Sequence, residues 1–224
     1  WQDGSFVANY MHSYRAPALE ELYNHGPHPG NLAYEIGNAD LRREMADGVE
    51  LSLRHQGHNL RLDTSLFRYQ MHDFVYFSPT GEIEDTLPVN EYLQADARFA
   101  GAEARAQLRL HGPLWLLAGF DYVDANLTGG SRQSLPRIPP ARGRLGFDWL
   151  WKGLTLRPEL VLSNRQWQLA PNETPTAGYA VVNLNASYTL TRQHFMHTFA
   201  VNTFNLGDRL YRNHLSFIKD FAPE

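Results

Sequence analysis

Ala100-Gly101-Ala102-Glu103-Ala104-Arg105-Ala106-Gln107-Leu108-Arg109-Leu110 alternates an apolar residue with glycine or a polar residue over its whole length. In an extended chain successive side chains point to opposite faces, so this stretch shows one greasy row and one row carrying Glu103, Arg105 and Arg109. A soluble sandwich would hide the greasy row in a core. A barrel in lipid turns it outward and lines its lumen with the charges.

The same period recurs along the chain. Val49, Leu51 and Leu53 alternate with Glu50, Ser52 and Arg54; Leu145, Phe147, Trp149 and Trp151 stand against Arg144 and Asp148. Val182, Leu184, Ala186, Tyr188 and Leu190 alternate with Asn183, Asn185, Ser187 and Thr189. Alternation of this kind favours strand over helix. It predicts nine strands, near 5–14, 44–55, 60–76, 90–110, 114–127, 141–151, 154–168, 179–190 and 197–206. Pro158 interrupts the row Leu154, Leu156, Leu160, Leu162 and marks either a doubtful strand or a bulge.

Connections alternate in length too. Short ones fall at Gln56–Asn59, His111–Pro113, Lys152–Gly153 and Thr191–His194, and long ones at 15–43, 77–89, 128–140 and 169–178. Outer-membrane barrels have short periplasmic turns and longer extracellular loops, which sets the sidedness expected here. The predicted fold class is all-β, an antiparallel transmembrane β-barrel. Nine strands with two raw edges cannot sit in lipid, where each unpaired backbone group costs several kcal/mol, so the chain is expected to belong to a larger barrel.

Composition agrees with a membrane wall and narrows the partners. The 224 residues carry 20 Lys+Arg against 24 Asp+Glu, a formal charge of −4 without a basic stripe, so nucleic acid is not an expected partner. Cysteine is absent, which removes disulfides, thiolate metal sites and a Cys nucleophile. Mean hydropathy is −0.44. No run approaches the ~18 apolar residues of a membrane helix, but a barrel strand needs only every second residue apolar. Phe74, Tyr76 and Phe77 at one strand end, and Trp149 and Trp151 at another, suit interfacial girdles. Trp1-Gln2-Asp3-Gly4 leads straight into a strand-like run with no signal peptide, as expected of a piece of a longer chain.

Several segments, in order along the chain, resemble the TonB-dependent outer-membrane receptors. Ser13-Tyr14-Arg15-Ala16-Pro17-Ala18-Leu19-Glu20-Glu21-Leu22-Tyr23 is similar to their FRAPSLEELY segment, and Gly37-Asn38-Ala39-Asp40-Leu41-Arg42-Arg43-Glu44 to their GNPDLKPE. Tyr92 through Gly101 and Glu103 resembles a family strand, Leu135-Pro136-Arg137-Ile138-Pro139-Pro140-Ala141-Arg142 a loop exit, and Asn205-Leu206-Gly207-Asp208-Arg209-Leu210-Tyr211 the late NLFDxxY motif. Within the family, Glu21-Leu22-Tyr23-Asn24-His25-Gly26-Pro27-His28, then Tyr34-Glu35-Ile36-Gly37-Asn38, with His214-Leu215-Ser216-Phe217 near the end, look like the zinc-acquiring, ZnuD-like branch. Ala39 and Arg43 depart from it by replacing common prolines.

The resemblance implies a roughly 22-stranded barrel filled by an N-terminal plug domain, with uptake driven by the TonB complex. Residues 1–224 would be its C-terminal portion, about nine strands, with the plug and the final strand absent. Implied partners are outer-membrane lipid, the plug of the same chain, TonB, and a metal ion or metal chelate, in the outer membrane of a Gram-negative-type bacterium. No tightly bound cofactor is implied; zinc enters as the transported ligand.

His25 and His28 are the metal candidates. A pair of imidazoles at i, i+3 in a Gly/Pro-bent loop, with Glu35 nearby in sequence as a weaker candidate, offers nitrogen and oxygen ligands that suit Zn²⁺ and also Ni²⁺ and Cu²⁺. By itself H-x-x-H is equally the pattern of two solvated loop histidines; the resemblance is what points to His25 as ligand, with the others supplied by the plug and further loops. His12 and His72 are expected near the outer end of the lumen, and His214 sits at a recurring family position whose role the sequence does not give.

The lumen charges, among them Glu50, Arg54, Asp63, Glu103, Arg105, Asp148 and Arg157, are expected to pair with one another and with the plug. Catalysis is not expected, because spacing assembles no nucleophile, base and orienting group from His12, His72, Asp73 and Ser78. The alternatives to zinc uptake are a ferric-siderophore or haem receptor of the same family, a passive or adhesive barrel without energy coupling, and a soluble β-sandwich binding module.

Overall fold

A computed structural model describes residues 3–129 and 133–222. Gly130, in the expected connection 128–140, lies outside them, as do Trp1, Gln2, Pro223 and Glu224. In chain order the elements are β1 (Gly4–Arg15), a one-turn helix α1 (Leu19–Tyr23), β2 (His25–His28), β3 (Ala33–Ile36), β4 (Glu44–Gln56), β5 (Leu60–Glu84) and β6 (Leu87–His111). There follow β7 (Leu114–Leu127), β8 (Gln133–Ser134), β9 (Arg142–Trp151), β10 (Leu154–Ser163), β11 (Tyr179–Thr191) and β12 (Met196–Thr203). Nine long strands form one antiparallel path, β1-β4-β5-β6-β7-β9-β10-β11-β12, and β2, β3 and β8 attach to its outer end. Among the described residues β1 and β12 are the two edges and do not pair with each other, so the sheet is an open arc of wall.

Strand register turns the sequence period into two surfaces. Partners across an antiparallel ladder share a face, so Ala8, Leu51, Leu66, Ala102 and Tyr122 line up on one side, and Phe6, Leu53, Thr64, Ala104 and Phe120 on the row beside them. Phe6, Leu51, Leu66, Phe120, Tyr122, Leu145, Phe147 and Trp149 are all large, apolar and exposed on this outward face. On the opposite face Ser52, Ser65, Glu103, Asp121 and Arg142 form one row, and Arg54, Asp63, Arg105, Gly119 and Arg144 the next. A continuous apolar outer surface of this size has no place in water, and with a polar inner wall it is the arrangement a lipid bilayer selects.

Pro158 stays inside β10 without a bulge. Leu156 faces Trp149 and Glu159 faces Gly146 in one unbroken register, and Pro158 itself pairs with Leu184 of β11. Lys152 and Gly153 both adopt positive φ, the geometry of the tight two-residue hairpin turns that match strand twist.

Two expected connections turn out to be structured. Residues 77–89 form the end of a long β5–β6 hairpin, closed by Asp85 and Thr86 at φ 49° and 68°. Both faces are wet above the membrane, so the ladder continues where the apolar alternation that reveals it has stopped. Within 15–43, α1 is followed by the β2–β3 hairpin, and β3 runs parallel to β6 at Tyr34–Val89, Glu35–Asn90 and Ile36–Glu91. The expected strand 154–168 ends at Ser163, beyond which Gln166 bridges to Thr176.

Near the outer end, Ala97, Ala125 and Leu135 form a small buried cluster with Met71, Phe74, Phe99 and Ile138 packed on it. Loop residues 135–138 therefore fold against the inner face of β6 and β7, and the outer mouth is narrowed by packed loops.

Candidate functional site

The first group of loop residues is organised by Arg15. At the end of β1 its guanidinium meets both carboxylate oxygens of Glu21 at 2.9 Å and Glu44 at 2.5 Å, which ties α1 to the start of β4. Nη1 serves Glu21 while Nε serves Glu44, so the planar guanidinium is held from two sides and its direction is fixed as well as its position. The Ala18 backbone N–H also donates to Glu21 at 2.8 Å, holding the first turn of α1. The chain then returns across itself at Gly37, where a Cβ would lie 2.7 Å from the Asn24 nitrogen and 2.8 Å from Leu22 and Tyr23 backbone atoms. Only glycine permits that approach.

This fold places the two candidate histidines on a strand. Residues at i and i+3 of a strand point to opposite faces, and the contacts follow. The His25 ring packs edge-on against Tyr34, with centroids 5.7 Å apart, while His28 Nδ1 lies 3.8 Å from Glu35 Oε1. His25 and His28 are exposed. Glu35 is buried and accepts hydrogen bonds from Asn24 Nδ2 at 2.7 Å and Asn31 Nδ2 at 2.6 Å. Glu35 thus anchors the hairpin and lies beside His28, and His25 belongs to a separate surface. Among the described residues no three His, Asp or Glu side chains are grouped to hold a metal ion.

A second cluster joins the loops above β9–β12. The His214 side chain is fully buried, its Nε2 3.1 Å from Glu173 Oε1 and its Nδ1 2.8 Å from the Thr176 hydroxyl and 3.3 Å from Lys219 Nζ. Lys219 also donates to the Thr174 carbonyl at 2.6 Å. Glu173 accepts from the Arg137 and Ala170 backbone N–H groups at 2.8 and 3.1 Å. Burial pushes the Glu173 carboxyl up, but the adjoining His214 imidazole and the hydrogen bonds from the Arg137 and Ala170 N–H groups outweigh it, and the net shift is below the usual range. Desolvation likewise lowers Lys219, and it brings Arg137 down to about 10. The Arg137 guanidinium lies 3.2 Å above the Phe217 ring, so the tail 207–222 is clasped onto both loops. His214 was visible in the sequence only as a matched position; its partners Glu173 and Thr176 carry no local signal.

On the inner wall two ion pairs form among the charges expected to pair, Arg54 with Asp63 at 3.1 Å and Arg157 with Asp148 at 3.0 Å, and a third joins Arg142 to Asp121 at 2.7 Å, which the sequence does not single out. The wall encloses a concave space of about 620 Å³ lined by Glu50, Arg54, Asp63, Glu103 and Arg105 among others. His12 and His72 are not part of it. His12 pairs across the ladder with Asp47, and His72 with Met45, which puts both in the outward-facing rows. One residue of parity separates the two faces, and at the strand ends no apolar neighbour reveals which is which.

With this geometry in hand, the comparisons with known proteins are consistent. The family model for the TonB-dependent receptor-like β-barrel matches residues 1–206. Heme/hemopexin utilization protein C of Haemophilus influenzae is 26% identical over 136 residues, 48% of this chain and 18% of that protein. The solved structure of the copper transporter OprC matches at a TM-score of 0.81 and 23% identity, over 95% of this chain and 32% of OprC. The FrpB iron transporter of Neisseria meningitidis matches at 0.71 and 15%, over 100% of this chain and 34% of FrpB. For the siderophore receptor PirA of Acinetobacter baumannii the values are 0.68 and 16%, over 100% and 37%. The chain thus spans about a third or less of the length of these relatives. Residues 1–206, most of the chain, carry the match, and the protein belongs to the TonB-dependent receptor β-barrel family.

Proposed function

We propose that this chain forms barrel wall and outer loops of an outer-membrane receptor for TonB-energised uptake of a metal ion or metal chelate, with zinc as the cargo. In this reading it is the C-terminal portion of that barrel, and its inner wall packs against the plug domain. The supporting observation is the β2–β3 hairpin, which holds exposed imidazoles at the outer mouth above a polar inner wall. Imidazole nitrogen is a good zinc ligand, and four-coordinate zinc needs further donors; the plug and other loops supply them. His25 is the primary ligand; His28 and Glu35, on the opposite face of the β2–β3 hairpin, do not share its ion in this conformation and form a secondary donor pair of their own. The work is transport rather than catalysis.

The test is His25→Ala, and separately His28→Ala, in the full-length receptor. Loss of a direct ligand weakens zinc binding at least ~10-fold, by analogy with the 10–100-fold effects of second-shell changes. Growth under zinc chelation slows, while surface level and growth on ferric chelates stay unchanged. A second reading, haem uptake, draws on the likeness to heme/hemopexin utilization protein C. If His25→Ala spares growth on scarce zinc but abolishes growth on haem, the cargo is haem and the transporter class stands.

A further inference from the structure

His12 finds its partners on β1 and β4 rather than in His72, Asp73 or Ser78. Ladder partners set the rows of the outward face: Tyr10, Val49, Arg68 and Ala100, then His12, Asp47, Gln70 and Arg98, then Tyr14, Met45 and His72. Leu110 to Ala100 spans ten residues of β6. At ~3.3 Å per residue that is ~33 Å along the strand, and a tilt of ~40° brings the apolar band to ~25 Å, the height of the lipid-facing belt of such barrels. His12, Asp47 and Tyr14 lie beyond the outer limit of that band, in reach of water and its solutes.

Three hydrogen bonds put these groups in order. Tyr10 donates to Asp47 Oδ1 at 2.6 Å, His12 Nδ1 meets the same oxygen at 2.8 Å, and His12 Nε2 lies 2.7 Å from the Tyr14 hydroxyl. An ionised carboxylate can only accept, so in the neutral imidazole Nδ1 carries the proton and Nε2 is left to accept from Tyr14. The His12 and Tyr14 rings meet edge-on, with centroids 4.8 Å apart and planes at 90°. The Arg43 guanidinium stands 4.2 Å from the centre of the Tyr14 ring, a positive charge over the group that turns negative as the phenol gives up its proton. A carboxylate that orients an imidazole, with that imidazole facing a hydroxyl, is the arrangement that activates a nucleophile.

We propose that Tyr14 is a covalent modification site, an acyl acceptor toward activated esters, with His12 as its base and Asp47 as the residue that positions the base. The bond formed joins Tyr14 Oη to the ester carbonyl carbon, and the bond broken is the one from that carbon to the leaving oxygen. The Tyr14 proton passes to His12 Nε2 and departs on the leaving alcohol, and nothing is oxidised or reduced. The site stands apart from His25 and His28, and its chemistry is independent of the cargo.

The probe is p-nitrophenyl acetate, applied to the full-length receptor in neutral detergent, with acetyl incorporation at each tyrosine followed by peptide mass spectrometry. A positioned general base is worth ~10²- to 10⁴-fold, so Tyr14 should be acetylated at least ~100-fold faster than Tyr23, which is exposed on α1. Tyr10 is the sharper control. It belongs to the same network and is more exposed than Tyr14, 70% against 53%, but its hydroxyl meets a carboxylate rather than an imidazole. Accessibility alone would label Tyr10 first. His12→Gln should bring Tyr14 down to the rate of Tyr23. Asp47→Asn, equal in shape, should slow it at least ~10-fold, whereas Asp47→Glu, which keeps the carboxylate, should retain most of the rate. A Tyr14 rate no greater than that of Tyr10, or one indifferent to His12→Gln in receptor that keeps its heat-modifiable barrel form, would overturn the proposal. The Tyr14 to Tyr10 ratio is read within the unaltered protein, so it decides even where a variant fails to assemble.

Discussion

Ala104→Arg should cripple barrel assembly where its neighbour Arg105→Ala does not. Ala104 stands between Thr64 and Phe120 on the outward face, four residues below Ala100 and six above Leu110, close to the middle of the apolar band. A lipid-facing Arg at that depth costs ~2–4 kcal/mol, which lowers the folded population ~30- to ~800-fold if nothing relaxes. Reaching the outer boundary would take about four residues of strand, ~10 Å after tilt, farther than a guanidinium can snorkel comfortably. Arg105 lies opposite Asp63 on the inner wall, in water, and removing an exposed charge there costs ~1 kcal/mol or less. The assay is the fraction of full-length receptor in the outer membrane that shows heat-modifiable migration, for each single variant and for Ala104→Leu as a size control. Equal losses from Ala104→Arg and Arg105→Ala would show that the two faces have been exchanged, and with them the assignment of lumen and lipid.

Two further outcomes follow from the loops. Removing His214, as His214→Ala, deprives the buried Glu173 of its partner at a cost of ~1–3 kcal/mol, so hydrogen exchange should quicken in 207–222 and 166–176 while β4–β7 stay protected. Because Glu173 is held below its ordinary 4.5, the unfolded clasp takes up its proton first; the contribution is present above pH 4.5 and drains as pH falls below it, so protection of 207–222 relative to the intrinsic exchange rate at each pH should fall there and stay flat in Glu173→Gln. Tags inserted at Gly30 or Asp85 should be reachable on intact cells, and tags at Gly57 or Gly112 should not; labelling at the short turns of unbroken cells would reverse the topology.

The nine long strands were legible because lipid on one side and water on the other impose a period of two on every residue between them. Where that contrast ends, so does the signal. The β5–β6 hairpin tip was hidden by wet faces and by Asp85 and Thr86, which reach positive φ without the glycine that normally advertises such a turn. His25 and His28 looked like a pair because a bent loop can bring i and i+3 together; in β2 the same spacing sends them to Tyr34 and Glu35. His12 and His72 face outward rather than into the lumen for a related reason: the side at a strand end follows from a residue count that no apolar neighbour marks.

The clasp shows why the loops resist this kind of reading while the wall does not. A wall position is specified by class: Leu66, Ala102 or Tyr122 each serve on the lipid face because the membrane asks only for apolar surface. His214 is specified by individual atoms on Glu173, Thr176 and Lys219, and the hydrogen bond to Thr176 spans 38 residues of sequence. Such a cluster is favourable only when every member is present, since a half-satisfied buried polar network is worse than an apolar one. Loop architecture should therefore change by concerted replacement of whole clusters, and wall rows by single substitutions. One type of wall can in this way carry differently shaped outer loops, and the His25–His28 hairpin, anchored through Glu35 to Asn24 and Asn31, is built as one such unit.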